Sequence, residues 1–169
     1  MRFSACFACR FHLSQDMIKT VMNKKTVLFL CTENSIRSQI AEGIMRHMAG
    51  DRFDVYSAGL NPQSIHPLTH VVMNEIGIDT GSQTSKDVGD YLGKVGFSHV
   101  VFVCDKAERD CPHIFPFATN RLSWPIEDPS SSTGSEQDKL ERFRLVRDTL
   151  YQRITSWVAE MNREELSKN

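Results

Sequence analysis

The sequence predicts an α/β protein built on an open, four-stranded parallel sheet with helices on both faces. Short apolar runs alternate along the chain with stretches whose apolar residues recur at helical spacing. The run at 27–30 is continuously hydrophobic, which is typical of a parallel strand buried on both faces. The resulting order, β-α-β-α-β-(α)-β-α, predicts right-handed crossovers and a ligand site at the carboxyl ends of the strands.

Each predicted element rests on a local signal. In the first half the elements are a strand at 27–30, a helix at 38–48, a strand at 53–58 and a helix at 67–76. In the second half they are a weak short helix at 88–92, a strand at 99–103, one or two helical turns at 105–110, a short strand near 121–122 and a helix at 143–161. Apolar residues at helical spacing support the long helices, Pro67 suits a first helical turn, and Gly77 suits a stop.

Length and composition describe one ordinary globular domain. The 169 residues are 40% hydrophobic and 24% charged, which suffices for a full core. The net charge of -1 gives no reason to expect a nucleic-acid or membrane partner. No apolar run approaches the ~20 residues that span a bilayer. We expect a monomer with a single catalytic domain at 25–162 and a polar tail at 163–169.

The first 24 residues have no clear periodicity, and we predict a leader that is disordered or not part of the fold. Within it, the Cys6-x-x-Cys9 spacing suits a redox pair or half of a zinc site, but no matching second pair follows. The chain has five cysteines and no convincing secretion signal. An odd count of this kind predicts reduced thiols and a cytoplasmic location.

The strongest chemical signal is the junction after the first strand. Cys31 ends that strand, five residues separate it from Arg37, and the helical period begins directly after Arg37. The amides of such a loop and of the first helical turn lack intrachain acceptors, so they form an anion site. We expect this positive field to stabilise a thiolate on Cys31, with Ser38 as a further hydrogen-bond donor. Cys104 and Asp128 also follow predicted strands, so they should converge with Cys31 at one sheet edge.

Several segments together resemble one known family. They are CTENSIRSQIAEG, VYSAGLNP, HPLTHVVMNEIGIDTGSQTSK, VFVCDKAERDCP, WPIEDP and TGSEQDKLERFRLVRDTL. These segments resemble arsenate reductases of the low-molecular-weight protein tyrosine phosphatase fold, and the resemblance covers about 26–157. It implies reduction of arsenate to arsenite by three cysteines, without a cofactor and with thioredoxin or glutaredoxin and glutathione as the reductant.

The resemblance also implies a role for each site residue. Cys31 matches the nucleophile, Asp128 matches the acid that protonates the leaving oxygen, and Cys104 and Cys111 match the other two thiols of the relay. Arg37 and the loop amides match the oxyanion site. The substrate-binding residues implied in this way are Thr32, Glu33, Asn34, Ser35, Ile36, Arg37 and Ser38.

Three positions depart from the family pattern. Ile36 stands where some members carry an additional cysteine outside the relay. Glu33 stands where some have glycine, and we expect its carboxylate to point outward because it would otherwise weaken anion binding. The resemblance suggests a structural cation site at Asn34, Glu42 and Ser57, but Lys86 replaces an expected acidic ligand. Its ammonium group either substitutes for the cation at Glu42 or is a solvated surface group.

Two other functions fit parts of the sequence. A low-molecular-weight tyrosine phosphatase would use Cys31, Arg37 and Asp128 through a phosphocysteine, but it would not need Cys104 and Cys111. A redox sensor or zinc module would use the remaining cysteines and leave Cys31 unexplained. Four histidines show no ligand or triad spacing, and we interpret them as surface or packing residues: His47, His66, His70 and His113.

Overall fold

Four parallel strands form the framework of the protein. The computed structural model describes residues 24–111, 118–131 and 133–167. Within these ranges the strands are β1 (Lys25–Cys31), β2 (Phe53–Gly59), β3 (His99–Phe102) and β4 (Asn120–Ser123). All the strand pairs are parallel, and the order across the sheet is β2-β1-β3-β4. The predicted open, four-stranded parallel sheet is therefore confirmed.

The apolar run of β1 occupies the middle of the sheet. Its four residues from 27 to 30 are all fully buried, so both faces of the strand are covered. On one face Phe29 packs on Trp124, with ring centroids 6.2 Å apart. Tyr56 of β2 is in register with Leu28, the neighbour of Phe29, and therefore points to the other face. There it packs edge-on against Tyr91, with centroids 5.4 Å apart.

The described helices cover the sheet and connect its strands. They are α1 (Arg37–Ala49), α2 (Pro67–Asn74), α3 (Asp105–Asp110) and α4 (Glu136–Leu166), with single 3-10 turns at Val88–Asp90 and Pro129–Ser131. Helix α1 packs on β1, β2 and α4, and α2 also packs against α4. The segment predicted as a weak helix at 88–92 forms only the single 3-10 turn Val88–Asp90. Residues 1–23 of the predicted leader, with Cys6 and Cys9, lie outside the described residues.

Helix α4 is longer than its apolar periodicity predicts. It begins at Glu136 because Ser135 and Asp138 form a capping box, in which each side chain accepts a hydrogen bond from the other residue's backbone N–H. This polar first turn carries no apolar stripe, and the helix predicted from the apolar spacing therefore begins only at 143. At its other end α4 reaches Leu166, inside the segment that we predicted as a polar tail.

Two contacts of α4 hold the rest of the fold in place. Trp157 packs on Phe53 and on Trp124, with centroid distances of 6.0 and 5.7 Å. Glu75, just after α2, forms ion pairs with Arg144 and Arg147 of α4. Hydrogen bonds from Arg144 lower the pKa of Glu75 to about 2, so this carboxylate stays charged at neutral pH. Helix α2 is thereby fixed to α4 at its carboxyl end.

No helix in the part of the chain that the structure describes is long and apolar enough to cross a membrane.

Candidate active site

A cleft of about 380 Å³ opens at the carboxyl edge of the sheet. Its lining includes Thr32 after β1, Cys104 after β3, Asp128 after β4 and Arg37 from the first turn of α1. Residues up to 96 positions apart in sequence therefore meet in one cavity, because parallel strands present their carboxyl ends at the same edge. We call residues 32–38 the oxyanion loop, because the sequence predicts that they bind an oxyanion.

Cys31 lies at the base of the oxyanion loop and is 2% exposed. The backbone N–H of Asn34 donates to its sulfur at 3.0 Å, and the Ser38 hydroxyl lies 3.0 Å from the same atom. Burial raises the pKa of the Cys31 thiol, although Ser38, the Asn34 amide and the charge of Arg37 oppose this rise. The predicted stabilisation of the Cys31 thiolate is therefore wrong, since desolvation outweighs the three stabilising groups.

Asn34 holds the oxyanion loop from behind. Its φ of 50° lies in the left-handed region, which asparagine tolerates better than most residues. The fully buried side chain donates to Ser38 Oγ and Ser57 Oγ, both at 2.8 Å, and its Oδ1 accepts from the Lys86 backbone N–H at 2.7 Å. Gln39 Nε2 adds a hydrogen bond to Asn34 Oδ1 at 3.0 Å. Hydrogen bonds within the chain therefore hold the loop in this shape.

Arg37 reaches across the cleft to the loop after β4. Its Nη2 forms an ion pair with Asp128 Oδ2 at 2.6 Å, and its Nη1 donates to the Ile126 carbonyl oxygen at 3.0 Å. The side chain of Arg37 is 11% exposed and that of Asp128 is 33% exposed. A bound oxyanion would compete with Asp128 for the guanidinium group.

The other carboxylate oxygen of Asp128 is held by its own turn. Asp128 Oδ1 accepts hydrogen bonds from the Ser130 backbone N–H at 2.9 Å and from the Ser130 hydroxyl at 2.6 Å. Ser131 Oγ donates to the Asp128 carbonyl oxygen at 2.8 Å. These bonds keep the carboxylate facing the cleft, a role for Ser130 that the sequence analysis missed.

A buried carboxylate lies behind the oxyanion loop. Glu42 is 2% exposed and accepts hydrogen bonds from Ser57 Oγ and Arg46 Nη2. Lys86 Nζ lies 3.1 Å from Glu42 Oε2 and also donates to the Thr84 carbonyl oxygen at 2.8 Å. The Lys86 ammonium group therefore contacts the buried carboxylate and is not a solvated surface group.

Cys104 and Cys111 flank α3, and both are reduced and buried. Cys104 Sγ accepts a weak hydrogen bond from the Ala107 N–H at 3.4 Å and lies 3.5 Å from Thr32 Oγ1, beside the oxyanion loop. Cys111 is 1% exposed at the other end of the helix. Burial raises the pKa of the Cys111 thiol, and the charge of Arg121 partly opposes this rise.

Some residues of the oxyanion loop line the cleft, and the others are buried in the core. Thr32, Glu33 and Arg37 line the cleft, whereas Asn34, Ser35, Ile36 and Ser38 are buried. Glu33 is exposed, as predicted, but it also lies at the cleft mouth, where its Oε2 accepts from Ser35 Oγ at 3.3 Å.

His66, the residue just before α2, contacts the oxyanion loop, and this contact was not predicted from the sequence. Its backbone N–H donates to the Ser35 carbonyl oxygen at 3.1 Å, and its side chain caps α2. The His66-Pro67 pair was the available signal, because a side-chain cap commonly precedes a proline in the first helical turn. Among the described residues, no group of three or more His, Cys, Asp or Glu side chains is positioned to hold a metal ion.

The fold and the cleft define a class: a parallel α/β enzyme with a cysteine at the base of an oxyanion loop. The family described as low molecular weight phosphotyrosine protein phosphatase matches residues 26–167. This chain belongs to that family.

Three of the proteins similar to this chain are arsenate reductases. An arsenate reductase of Halalkalibacterium halodurans is 41% identical over 137 residues, which cover 80% of this chain and 96% of that protein. A solved arsenate reductase in a phosphate-binding state is 30% identical with a TM-score of 0.69, covering 80% of this chain and 98% of that one. A thioredoxin-dependent arsenate reductase of Corynebacterium glutamicum is 26% identical with a TM-score of 0.55, covering 81% of this chain and 65% of that one.

Proposed function

We propose that this chain reduces arsenate to arsenite by a thiol–disulfide relay through Cys31, Cys104 and Cys111. The observation that carries the proposal is the presence of a second thiol, Cys104, beside the oxyanion loop that holds Cys31. A hydrolytic enzyme needs one nucleophile there, whereas a two-electron reduction needs a second sulfur to complete a disulfide. The named relatives support the same reaction.

In the first step the loop amides and Arg37 bind arsenate, and the Cys31 thiolate attacks the arsenic atom. A sulfur–arsenic bond forms and an arsenic–oxygen bond breaks. The proton that the Cys31 thiol loses passes, by way of the bound arsenate, to the Asp128 carboxylate that Arg37 has released. Asp128 then gives this proton to the departing oxygen, which leaves as water. Arsenate binding draws Arg37 away from Asp128, and Ser130 then keeps the acid directed at the cleft.

In the second step Cys104 attacks the sulfur of Cys31. The sulfur–arsenic bond breaks, its electron pair remains on arsenic, and arsenite leaves with arsenic reduced by two electrons. Cys111 then attacks the sulfur of Cys104, which forms a Cys104–Cys111 disulfide and releases Cys31 as a thiol. Thioredoxin, or glutaredoxin with glutathione, reduces this disulfide, and we expect the cycle to run in the cytoplasm in a monomer.

The direct test is arsenate-dependent consumption of NADPH with the thioredoxin and glutaredoxin systems supplied separately. Turnover with one system and not the other identifies the reductant. Absence of turnover with both, in protein that binds phosphate, would contradict the reductase function.

A phosphatase activity through a phosphocysteine on Cys31 is the second candidate. Arg37 and Asp128 suit it equally well. However, the described residues that line the cleft include no aromatic side chain that could pack against a phosphotyrosine ring. We therefore expect at most slow hydrolysis of p-nitrophenyl phosphate. Efficient hydrolysis of phosphotyrosine peptides would instead favour the phosphatase function.

Asp128→Asn should slow the first chemical step by about 10²–10⁴, the usual contribution of a positioned general acid. Phosphate affinity should not fall, because Arg37 loses only its competing partner. Glu127→Gln is the matched control, since Glu127 is a neighbouring carboxylate that lines the same cleft. Single-turnover kinetics give the rate of the first step for both variants. An Asp128→Asn rate equal to that of wild type would show that Asp128 only shapes the turn.

Replacing potassium by sodium should change the arsenate reductase rate little, because the Lys86 ammonium group contacts Glu42 where a cation would otherwise bind. Lys86→Met should lower the free energy of unfolding by roughly 1.5–3 kcal/mol, the value of a hydrogen bond to a charged group. The control is Lys139→Met, which removes an exposed ion pair with Glu136 and should change the stability little because solvent screens that pair. A strong potassium requirement in wild-type protein would contradict the inference that the Lys86 ammonium group takes the place of a cation.

A further inference from the structure

His66 lies where the oxyanion loop, α2 and α4 meet. Its backbone N–H donates to the Ser35 carbonyl oxygen at 3.1 Å, and the Thr69 hydroxyl donates to the same oxygen at 3.1 Å. The first turn of α2 therefore fixes one carbonyl group of the oxyanion loop by two hydrogen bonds. Any loosening of this turn acts directly on the loop that binds the anion.

The side chain of His66 determines how well that turn is formed. Its Nδ1 accepts a hydrogen bond from the Leu68 N–H at 3.1 Å, which is the N-terminal cap of α2. Pro67 has no N–H, so the amide of Leu68 is the first in the helix that needs a partner. An accepting Nδ1 must carry no proton, so only the neutral imidazole with its proton on Nε2 provides this cap.

The ring is also held from the other side. It packs on Phe143 of α4, with ring centroids 4.8 Å apart. Helix α4 is itself joined to the end of α2 through Glu75. A protonated His66 therefore cannot rotate freely to satisfy a new N–H donor without disturbing this contact.

We propose that His66 is a positioning residue that makes oxyanion binding sensitive to pH through the cap of α2. The neutral side chain completes the cap and fixes Ser35, whereas the protonated side chain repels the Leu68 N–H and loosens the loop. This assignment rests on the proposed oxyanion site at residues 32–38.

The charges around His66 fix the direction of the effect. Burial lowers the pKa of His66; Asp128, in the loop after β4, and Glu136 of α4 oppose this shift, while Lys139 of α4 adds to it. The folded state therefore binds the proton less readily than the unfolded chain does. Stability and loop order are complete above the ordinary histidine pKa of about 6.5 and are lost as the pH falls below it.

The test compares inorganic phosphate binding by wild type, His66→Asn and His70→Asn, using calorimetry at about pH 7.5 and about pH 5.5. Asparagine caps a helix without titrating. His70 is the matched control, because it lies on α2 but binds Thr80 at 2.7 Å and not the oxyanion loop. The ionisation of phosphate itself affects the three proteins equally and cancels in the comparison.

Between the two pH values, the wild-type dissociation constant should rise about 3- to 10-fold more than that of His66→Asn, within the range for losing one cap. His70→Asn should follow wild type. Equal pH effects in wild type and His66→Asn, or loss of the effect in His70→Asn, would overturn the assignment to His66. Failure of wild type to bind phosphate at either pH would instead overturn the oxyanion site, and this assignment with it.

Discussion

Cys31→Ser should abolish arsenate reduction and any hydrolysis of p-nitrophenyl phosphate. Both reactions need a nucleophile at the base of the oxyanion loop, and a serine hydroxyl ionises far less readily than a thiol. The donors around this position, Ser38 and the Asn34 amide, would remain in place but would have no thiolate to stabilise. Steady-state assays of both activities measure the loss.

The control measurements for Cys31→Ser test whether the site still forms. Phosphate binding and the unfolding curve should stay close to those of wild type, because Asn34 and its partners hold the loop independently of the sulfur. A variant that keeps either activity near the wild-type level would remove Cys31 from the mechanism. A variant that no longer binds phosphate would show that the sulfur also shapes the loop.

Cys111→Ser should complete one turnover and then stop, releasing about one arsenite per enzyme. Without Cys111 the relay ends at a Cys31–Cys104 disulfide inside the cleft, where a protein reductant has no access. Arsenite released in a single mixing experiment measures the stoichiometry. Mass mapping of the stalled protein should find the Cys31–Cys104 bond.

The geometry of α3 explains why Cys111 requires a conformational change. Cys104 and Cys111 flank the helix, so seven residues at ~1.5 Å rise separate their Cα atoms by roughly 10 Å. A disulfide needs less than ~7 Å. The hydrogen bonds from the Glu108 N–H to Cys104 and from the Cys111 N–H to Ala107, at 3.2 and 3.0 Å, must therefore break.

Helix α3 is well suited to this unwinding. It is short, and of its six residues only Ala107 is buried. Opening it costs little apolar contact and brings out Cys111, which is otherwise 1% exposed.

Cys104→Ser is the control for the relay, because it should never form the Cys31–Cys104 bond. Sustained turnover of Cys111→Ser with thioredoxin, or a stalled state in which Cys104 is still reduced, would contradict the relay.

The sequence predicted the sheet because its signals are local and strong. The apolar run before Cys31 could only be a strand buried on both faces, and the cysteine at its end marked the cleft. The convergence of Cys104 and Asp128 followed from parallel topology alone. Helix ends were less accurate, as at Ser135, where a polar cap extends α4 beyond its apolar stripe.

The contacts between distant residues could not be predicted from local signals. Whether Lys86 reaches Glu42 or stays in solvent depends on the packing of its loop behind α1. The ion pair between Arg37 and Asp128 joins residues 91 positions apart. The pKa of Cys31 was predicted in the wrong direction because the sequence shows the donors near the sulfur but not how deeply the sulfur is buried. His66 was interpreted as a surface or packing residue, although the predicted helix began at Pro67, because histidine is not among the residues that usually cap a helix N-terminus.

The location of the two tryptophans determines which events can be followed by fluorescence. Trp124 and Trp157, the only two in the chain, lie together between the sheet and α4. Neither lines the cleft with Cys104. Tryptophan emission should therefore report separation of α4 from the sheet during global unfolding and stay constant while α3 opens. Far-ultraviolet circular dichroism should detect that opening, so the two processes can be distinguished optically in the same sample.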